Sequence, residues 1–235
     1  MDLPTATLTF RPYGLTHWVI VVVTVVGAVM LARLGRRHRN TPAGEILTRI
    51  FAIIQLTVTL GFMIIWLVPP LFDLHQSLPL HLSDILRLVC AYALWSRRPW
   101  AFALTYYWGL TFNPQAILTP DLQLDIAPAL EFASYWLQHV LVMWAAIYLT
   151  WGLGLRPTWR SYRLALAVTV AWAAIAFAIN RVLGTNYGYL NGKPGGASLL
   201  DLMGGWPWYL VAVLALLAAF WALITWPWTS RARVH

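Results

Sequence analysis

Long apolar runs constrain this chain more than any other feature, because seven of them follow one another along the sequence. A helix needs about 20 mostly apolar residues to cross the hydrocarbon core of a bilayer. Inside a bilayer, only helices and closed barrels satisfy their own backbone polar groups. The sequence therefore predicts one all-α, polytopic membrane bundle over residues 1–235, with seven transmembrane helices. The predicted spans cover residues 15–35, 46–68, 79–96, 100–118, 127–152, 162–183 and 206–226.

The composition supports a membrane protein over a soluble one. The chain is 60% hydrophobic and 10% charged, whereas a soluble domain carries about 25% charged residues. The net charge of +8 would suggest nucleic acid on a soluble protein. Here the arginines form short clusters between apolar runs, so we expect contacts with anionic lipid headgroups and no nucleic-acid partner. A single cysteine, Cys90, excludes a disulfide framework.

The arginine clusters predict the orientation of the bundle. If the loop after the first span is cytoplasmic, 11 of the 16 Lys and Arg residues lie on the inner side, and only Arg11, Arg181 and Lys193 lie on the outer side. This asymmetry is typical of positive-inside topology. We therefore expect the N-terminus outside, the C-terminus in the cytoplasm, and an uncleaved chain in a cell membrane, the bacterial inner membrane above all. The inner residues are Arg33, Arg36, Arg37, Arg39, Arg97, Arg98, Arg156, Arg160, Arg163, Arg231 and Arg233.

Polar side chains inside predicted spans are candidate functional residues, because burying them in a bilayer is costly. His139 lies deep in the fifth span. It could be a neutral histidine that joins two helices by a hydrogen bond, or a general base. The fourth span contains Asn113-Pro114-Gln115, where the proline frees backbone groups beside two amides.

The third span opens with Pro79, which suits a first helical position, and carries several polar groups. Ser83 would lie in the first turn, where the helix dipole favours a developing anion, or it could simply pack there. Asp84 and Arg87 are three residues apart and predict a structural ion pair. His81 could contact a lipid headgroup.

Four segments resemble a known family. LPLHLSDI covers residues 78–85, WGLTFNPQAILTPDL covers 108–122, YWLQHVLVMWAAIYLTWG covers 135–152, and NYGYLNGKPGGASLLDLMGGWPWY covers 186–209. Together they resemble the YwaF-type bacterial integral membrane family, whose superfamily includes an animal acyltransferase that acts on ether phospholipids. That resemblance implies a catalytic cysteine early in one helix and a histidine two helices later. The histidine corresponds to His139, and the cysteine position is occupied here by Ser83.

These observations lead to a hypothesis of acyl transfer or acyl hydrolysis on membrane phospholipids. Ser83 would be the nucleophile and His139 the general base. Asn113 or Gln115 would stabilise the oxyanion, and His81 and Asn186 complete the candidate binding set. No metal and no other cofactor is expected, since His81 and His139 lack a third partner at a useful spacing.

Two alternatives remain open from the sequence. A small transporter or lipid-binding protein would use Asp84, Arg87 and His139 along a path for a proton or an anion. A purely structural or assembly partner would use the same polar residues for packing. The substrate, the acyl donor and the oligomeric state do not follow from the sequence.

Overall fold

The computed structural model describes residues 10–122, 124–195 and 198–230, and every regular element within them is helical. The all-α prediction is confirmed for these residues. A π-helical turn, Tyr148–Gly152, extends α6, and two short 3-10 turns, Tyr187–Tyr189 and Leu199–Met203, lie between α7 and α8. The α-helices are α1 (Leu15–Arg37), α2 (Pro42–Trp66), α3 (Leu82–Ser96), α4 (Pro99–Gly109), α5 (Phe112–Leu118), α6 (Pro128–Ile147), α7 (Trp159–Leu183) and α8 (Trp208–Ser230).

Five of these helices are long and apolar enough to cross a membrane: α1, α2, α6 with its π-turn, α7 and α8. Large apolar side chains on them, such as Val22, Ile53 and Leu223, are exposed, as expected for surfaces that face lipid. The chain is therefore a multi-pass membrane protein. The helices in the predicted third and fourth spans are too short to meet this length criterion, because α3 has 15 residues, α4 has 11 and α5 has 7.

The helix ends fall into two groups. The ends that carry Arg36, Arg97 and Arg160 form what we call the basic end, where the Arg39 guanidinium donates to the Gly152 carbonyl oxygen over 2.8 Å. At the opposite end, which we call the loop end, the connections 67–81 and 184–207 meet. There the Trp172 indole donates to the carbonyl oxygen of Leu80 over 3.0 Å. Arg231 and Arg233, which the sequence assigns to the inner side, lie outside the described residues.

Capping residues define several helix ends. The Thr41 hydroxyl accepts from the Gly44 amide over 3.1 Å at the start of α2. The Thr158 hydroxyl accepts from the Ser161 amide over 3.1 Å at the start of α7. Gly184, with φ of 70°, ends α7 in the left-handed region. These three caps fix helix ends that lie within a few residues of the predicted ends of the second and sixth spans.

Helix α6 is the central element, because α1 to α5 all pack against it. Glycines allow the closest approaches. A Cβ on Gly27 would lie 2.3 Å from the Trp144 ring, and one on Gly35 would lie 2.8 Å from the Cα of Gly152. Small residues at such contacts let the backbones of membrane helices come together.

Four threonines link neighbouring helices through hydrogen bonds of one common pattern. Each hydroxyl donates to the carbonyl four residues earlier and accepts a hydrogen bond from an aromatic side chain on another helix. This arrangement satisfies every polar atom of the pair without water. The pairs are Thr48 with Tyr148, Thr111 with Trp221, Thr169 with Trp108, and Thr225 with Tyr107.

Helix α3 begins three residues later than predicted. Pro79 is not its first residue, since α3 starts at Leu82 with His81 as the N-cap. The Asp84 carboxylate accepts from the His81 amide over 3.1 Å, which satisfies the amide at the N-cap. The other helices enclose this short segment, because Leu86, Cys90 and five other apolar side chains of α3 are buried.

The predicted fourth span is broken rather than continuous. Helix α4 ends at Gly109 and α5 starts at Phe112. Pro114 explains the break, because its ring would clash with the carbonyl of Leu110, four residues earlier, and it has no amide hydrogen to donate. The break turns α5 onto α6 near residue 139, which positions the site described below.

We expect Gly35→Ala to lower the free energy of unfolding by about 1–3 kcal/mol, because the added methyl would overlap the α6 backbone. Gly61→Ala is the matched control, since nothing lies within 4 Å of its Cβ position in α2. Cys90 is the one cysteine and is fully buried, so a thiol-reactive dye reports thermal unfolding in detergent. Equal melting temperatures for the two variants would contradict the close α1–α6 contact.

Candidate functional site

His139 and Asn113 form a reciprocal pair in the interior of the bundle. The Nδ1 atom of His139 lies 2.8 Å from the Oδ1 atom of Asn113, and the Asn113 amide nitrogen donates to the His139 carbonyl oxygen over 2.9 Å. Both residues are buried, with His139 7% exposed and Asn113 4% exposed. Helix α6 supplies the histidine and α5, freed by the proline break, supplies the amide.

This pairing fixes the protonation pattern of the neutral imidazole. The His139 carbonyl can only accept, so the Asn113 atom facing it must be the NH₂ group. The amide oxygen must then face Nδ1, which can only be satisfied if Nδ1 carries the proton. The remaining nitrogen, Nε2, is then an unprotonated acceptor. No hydrogen bond to Nε2 is formed within the described residues.

Tyr135 completes the immediate surroundings of the histidine. Its ring centroid lies 4.6 Å from that of His139, one turn earlier on α6. Its hydroxyl donates to the Ala116 carbonyl oxygen over 2.7 Å. Tyr135 therefore fastens α5 to α6 on the loop-end side of the Asn113 contact and limits how far the Asn113 amide can shift.

The first two turns of α3 carry an ion pair between Asp84 and Arg87. Arg87 donates to the Asp84 carboxylate over 2.8 Å, and the two side chains are each 14% exposed. Helix α3 packs against α6, the helix that carries His139 and Tyr135. The ion pair therefore lies on a helix that adjoins the histidine, and we call His139, Asn113, Tyr135 and this ion pair the His139 cluster.

Ser83 lies in the first turn of α3 and is half-buried. Its hydroxyl is hydrogen-bonded to no group among the described residues, including His139. Ser83 and Arg87 are four residues apart on one face of α3. The structure therefore puts Ser83 on the helix that lines the cluster without a direct bond to the histidine.

The connection between α7 and α8 covers α3 at the loop end. The Tyr187 ring packs edge-on against the His81 ring, with centroids 4.8 Å apart. The Tyr187 hydroxyl donates to the Leu74 carbonyl and accepts from the Leu78 amide, which ties down the loop that precedes α3. Burial raises the pKa of the Tyr187 phenol, so it remains a neutral donor.

Two other predicted binding residues lie apart from His139. Gln115 is exposed on α5. The Asn186 side chain donates to the Gly192 carbonyl over 2.9 Å and accepts from the Asn191 amide over 3.0 Å, which closes its own loop. Neither is hydrogen-bonded to Ser83 or His139 in the described part of the chain.

Sequence reasoning overlooked Gln55 and Tyr187. Gln55 is fully buried in α2, and its amide lies 3.4 Å from the Arg87 carbonyl oxygen. An amide within an otherwise apolar span was the signal that could have found it. Tyr187 gave no such signal, because it lies in a loop. No cluster of three or more His, Cys, Asp or Glu side chains suited to a metal ion occurs among the described residues.

We expect Asn113→Ala to lower the free energy of unfolding by about 1–3 kcal/mol, because it leaves the buried Nδ1–H of His139 unpaired and removes the side-chain hydrogen bond to the His139 carbonyl. Gln115→Ala is the matched control, an exposed amide two residues along the same helix. The Cys90 dye measurement compares the two variants. If both melt like the wild type, the Asn113–His139 pair does not contribute as described.

Comparison with known proteins corrects the resemblance suggested by the sequence segments. A family model described as the TMEM164 family matches residues 12–225, which include all four segments. The assignment to the YwaF-type family is therefore wrong. No curated protein and no solved structure matches the chain significantly. Since the matched region covers most of the sequence, the chain is a multi-pass membrane protein that belongs to the TMEM164 family.

Proposed function

We propose that this protein is a membrane enzyme that transfers or hydrolyses acyl groups of phospholipids, with His139 as the general base. The observation that carries the proposal is the reciprocal His139–Asn113 pair. It holds the proton on Nδ1 and leaves Nε2 as the atom that can accept a proton. A base oriented by a third polar group is the recurring arrangement in acyl-transfer enzymes.

Asn113 has an orienting role in this proposal. Both polar atoms of its amide contact His139, one at Nδ1 and one at the carbonyl. Asparagine serves in this way beside the histidine of some cysteine proteases. Stabilisation of the oxyanion by Gln115, or by His81 and Asn186, stays a prediction from the sequence.

Ser83 is the proposed nucleophile. Its hydroxyl would attack the ester carbonyl of a phospholipid, and Nε2 of His139 would take the hydroxyl proton. The ester C–O bond would then break, and His139 would return the proton to the oxygen of the departing lysophospholipid. A lipid hydroxyl, or water in hydrolysis, would remove the acyl group from Ser83 by the same two steps. The position in the first turn of α3 supports this role, because the helix dipole stabilises negative charge there. Catalytic hydrogen bonds are often long in enzymes without substrate and shorten when the substrate binds. In this proposal, Ser83 therefore comes within hydrogen-bond distance of His139 only in the substrate complex.

The proposed topology has seven crossings, with α3 and the α4–α5 pair as short passes enclosed by longer helices. The N-terminus would be outside and the basic end in the cytoplasm. The support is the concentration of arginines at one end of the bundle. The proposed location is a cell membrane, the inner membrane in a bacterium, and the proposed partners are its phospholipids.

Acyl exchange between phospholipids, followed by mass spectrometry on protein in nanodiscs, tests the activity. We expect His139→Ala to lose turnover by about 10²–10⁴-fold, the usual contribution of a general base. Ser83→Ala should lose at least as much, because it removes the nucleophile. Asn113→Ala should lose about 10²-fold, the lower end of that range, because the imidazole keeps its basic nitrogen but loses its orientation. Ser83→Cys should retain turnover, because a thiol is also an acyl nucleophile.

Ser134→Ala is the matched control for the serine substitution. Ser134 is a buried serine on α6 whose hydroxyl donates to the Glu131 carbonyl over 3.1 Å. Its loss should leave turnover unchanged. Absence of turnover by the folded wild type over several lipids and donors would contradict the enzyme proposal. The result would then favour the transporter or lipid-binding alternative, in which Asp84, Arg87 and His139 line a path.

Single-cysteine labelling tests the topology, because buried Cys90 should not react in the folded protein. We expect Leu202→Cys, which lies at the loop end and is 85% exposed, to react with a membrane-impermeant maleimide on intact cells. Glu45→Cys, exposed at the basic end, should react only after the membrane is permeabilised. The reverse pattern would invert the proposed orientation.

A further inference from the structure

An apolar groove lies between α1, α5 and α6, apart from the His139 cluster. Its volume is about 390 Å³, and apolar side chains such as Val25, Val29, Met143 and Ile147 dominate its lining. Pockets that hold small ligands begin at roughly this size. Neither His139 nor Ser83 lines it, so the groove is a second concave surface of the molecule.

The groove follows from the break at Pro114. Helix α5 has only seven residues, or about 10 Å, so it covers only part of the seam between α1 and α6. Pro114 and Leu118 of α5 line the groove, as do Arg36 of α1 and Trp151 at the end of α6. The groove therefore extends from α5 to the basic end.

The dimensions suit a lipid chain. The α1 residues that line the groove run from Val21 to Arg36, a distance of about 22 Å along the helix. Half of a bilayer core of about 30 Å is roughly 15 Å. The groove is therefore long enough to hold an acyl chain over the full depth of one leaflet.

The positive charge of Arg36 at the basic end favours a lipid headgroup with an accessible phosphate. Arg36 is exposed and makes no salt bridge to a carboxylate in the described residues. One of its five N–H groups, on Nε, lies 3.4 Å from the Ala32 carbonyl oxygen. Guanidinium groups bind phosphate through paired hydrogen bonds. Trp151, at the same end, has the amphipathic ring typical of a membrane interface.

We propose that this groove binds one anionic phospholipid of the leaflet at the basic end, with an acyl chain between α1 and α6 and the phosphate on Arg36. A lipid with net negative charge is favoured, because no cationic headgroup then competes with the guanidinium for the phosphate. The site is independent of the acyl chemistry proposed for His139, since the two share no residue.

Native mass spectrometry of the purified full chain tests the proposal, with phosphatidylglycerol and phosphatidylcholine of identical acyl chains added in turn. The wild type should bind phosphatidylglycerol about fivefold more tightly, the effect of roughly one arginine near a lipid surface. Arg36→Ala should abolish that preference. The matched control is Arg37→Ala, an adjacent arginine that does not line the groove, and it should retain the preference.

A second pair of variants tests the position of the chain. Val29→Trp fills the groove and should reduce binding of both lipids, whereas Val26→Trp adds the same ring to an exposed α1 position outside the groove and should not. Each variant is first shown to melt like the wild type, and Val29→Phe replaces Val29→Trp if it does not. Equal binding of the two lipids by the wild type, equal losses for the two arginine variants, or equal binding by the two tryptophan variants would overturn the proposal.

Discussion

The close contact between α1 and α6 is the interaction on which the rest of the bundle depends. In a bilayer there is no hydrophobic force that drives helices together, so tight packing must supply the association. Gly27 against Trp144 and Gly35 against Gly152 bring the two backbones to a distance that no larger residue would allow. With α1 held there, α6 lies inside the bundle, where α2 to α5 also pack against it. The burial of His139, and the water-poor surroundings that give its hydrogen bonds their strength, follow from this central position.

Pro114 determines how α5 contacts His139. A continuous helix over 100–118 would keep all its amides and carbonyls paired internally and would stand beside α6 as one rod. The break after Gly109 instead gives a short α5 whose Asn113 reaches both the ring and the backbone of residue 139. The same shortness leaves the seam between α1 and α6 uncovered toward the basic end. One backbone feature therefore produces both the polar pair in the interior and the apolar groove at the surface.

The sequence predicts the long helices well, because a span of apolar residues has few alternatives in a membrane. It also identifies several polar residues of the interior, such as His139 and Asn113, since they stand out against an apolar background, but it missed Gln55. It fails where the structure depends on contacts between distant segments. At the start of α3, the Trp172 indole donates to the Leu80 carbonyl and Tyr187 packs on His81. The pairing of Asn113 with His139 needs α5 to turn onto α6. Periodicity gives no information on such contacts, so Asn113 was predicted as an oxyanion donor although both of its polar atoms contact the histidine. The family assignment failed for a different reason, because short segments resembled the wrong family.

The hydrogen bonds between threonines and aromatic side chains differ from the hydrogen bonds of His139. In the pairs of Thr169 with Trp108 and Thr48 with Tyr148, the aromatic group donates to the threonine, which donates to its own helix. Such a pair has no unused donor and holds two helices together without water. His139 differs, because its Nδ1 proton is bound by Asn113 while Nε2 forms no hydrogen bond within the described residues. Buried oxygens of Gln55 and Gln138 also lack a partner in the described residues, so a missing hydrogen bond alone does not distinguish chemistry from packing. What sets His139 apart is its orientation, because Asn113 holds both the ring and the backbone of residue 139, and the proposed general-base role depends on that orientation.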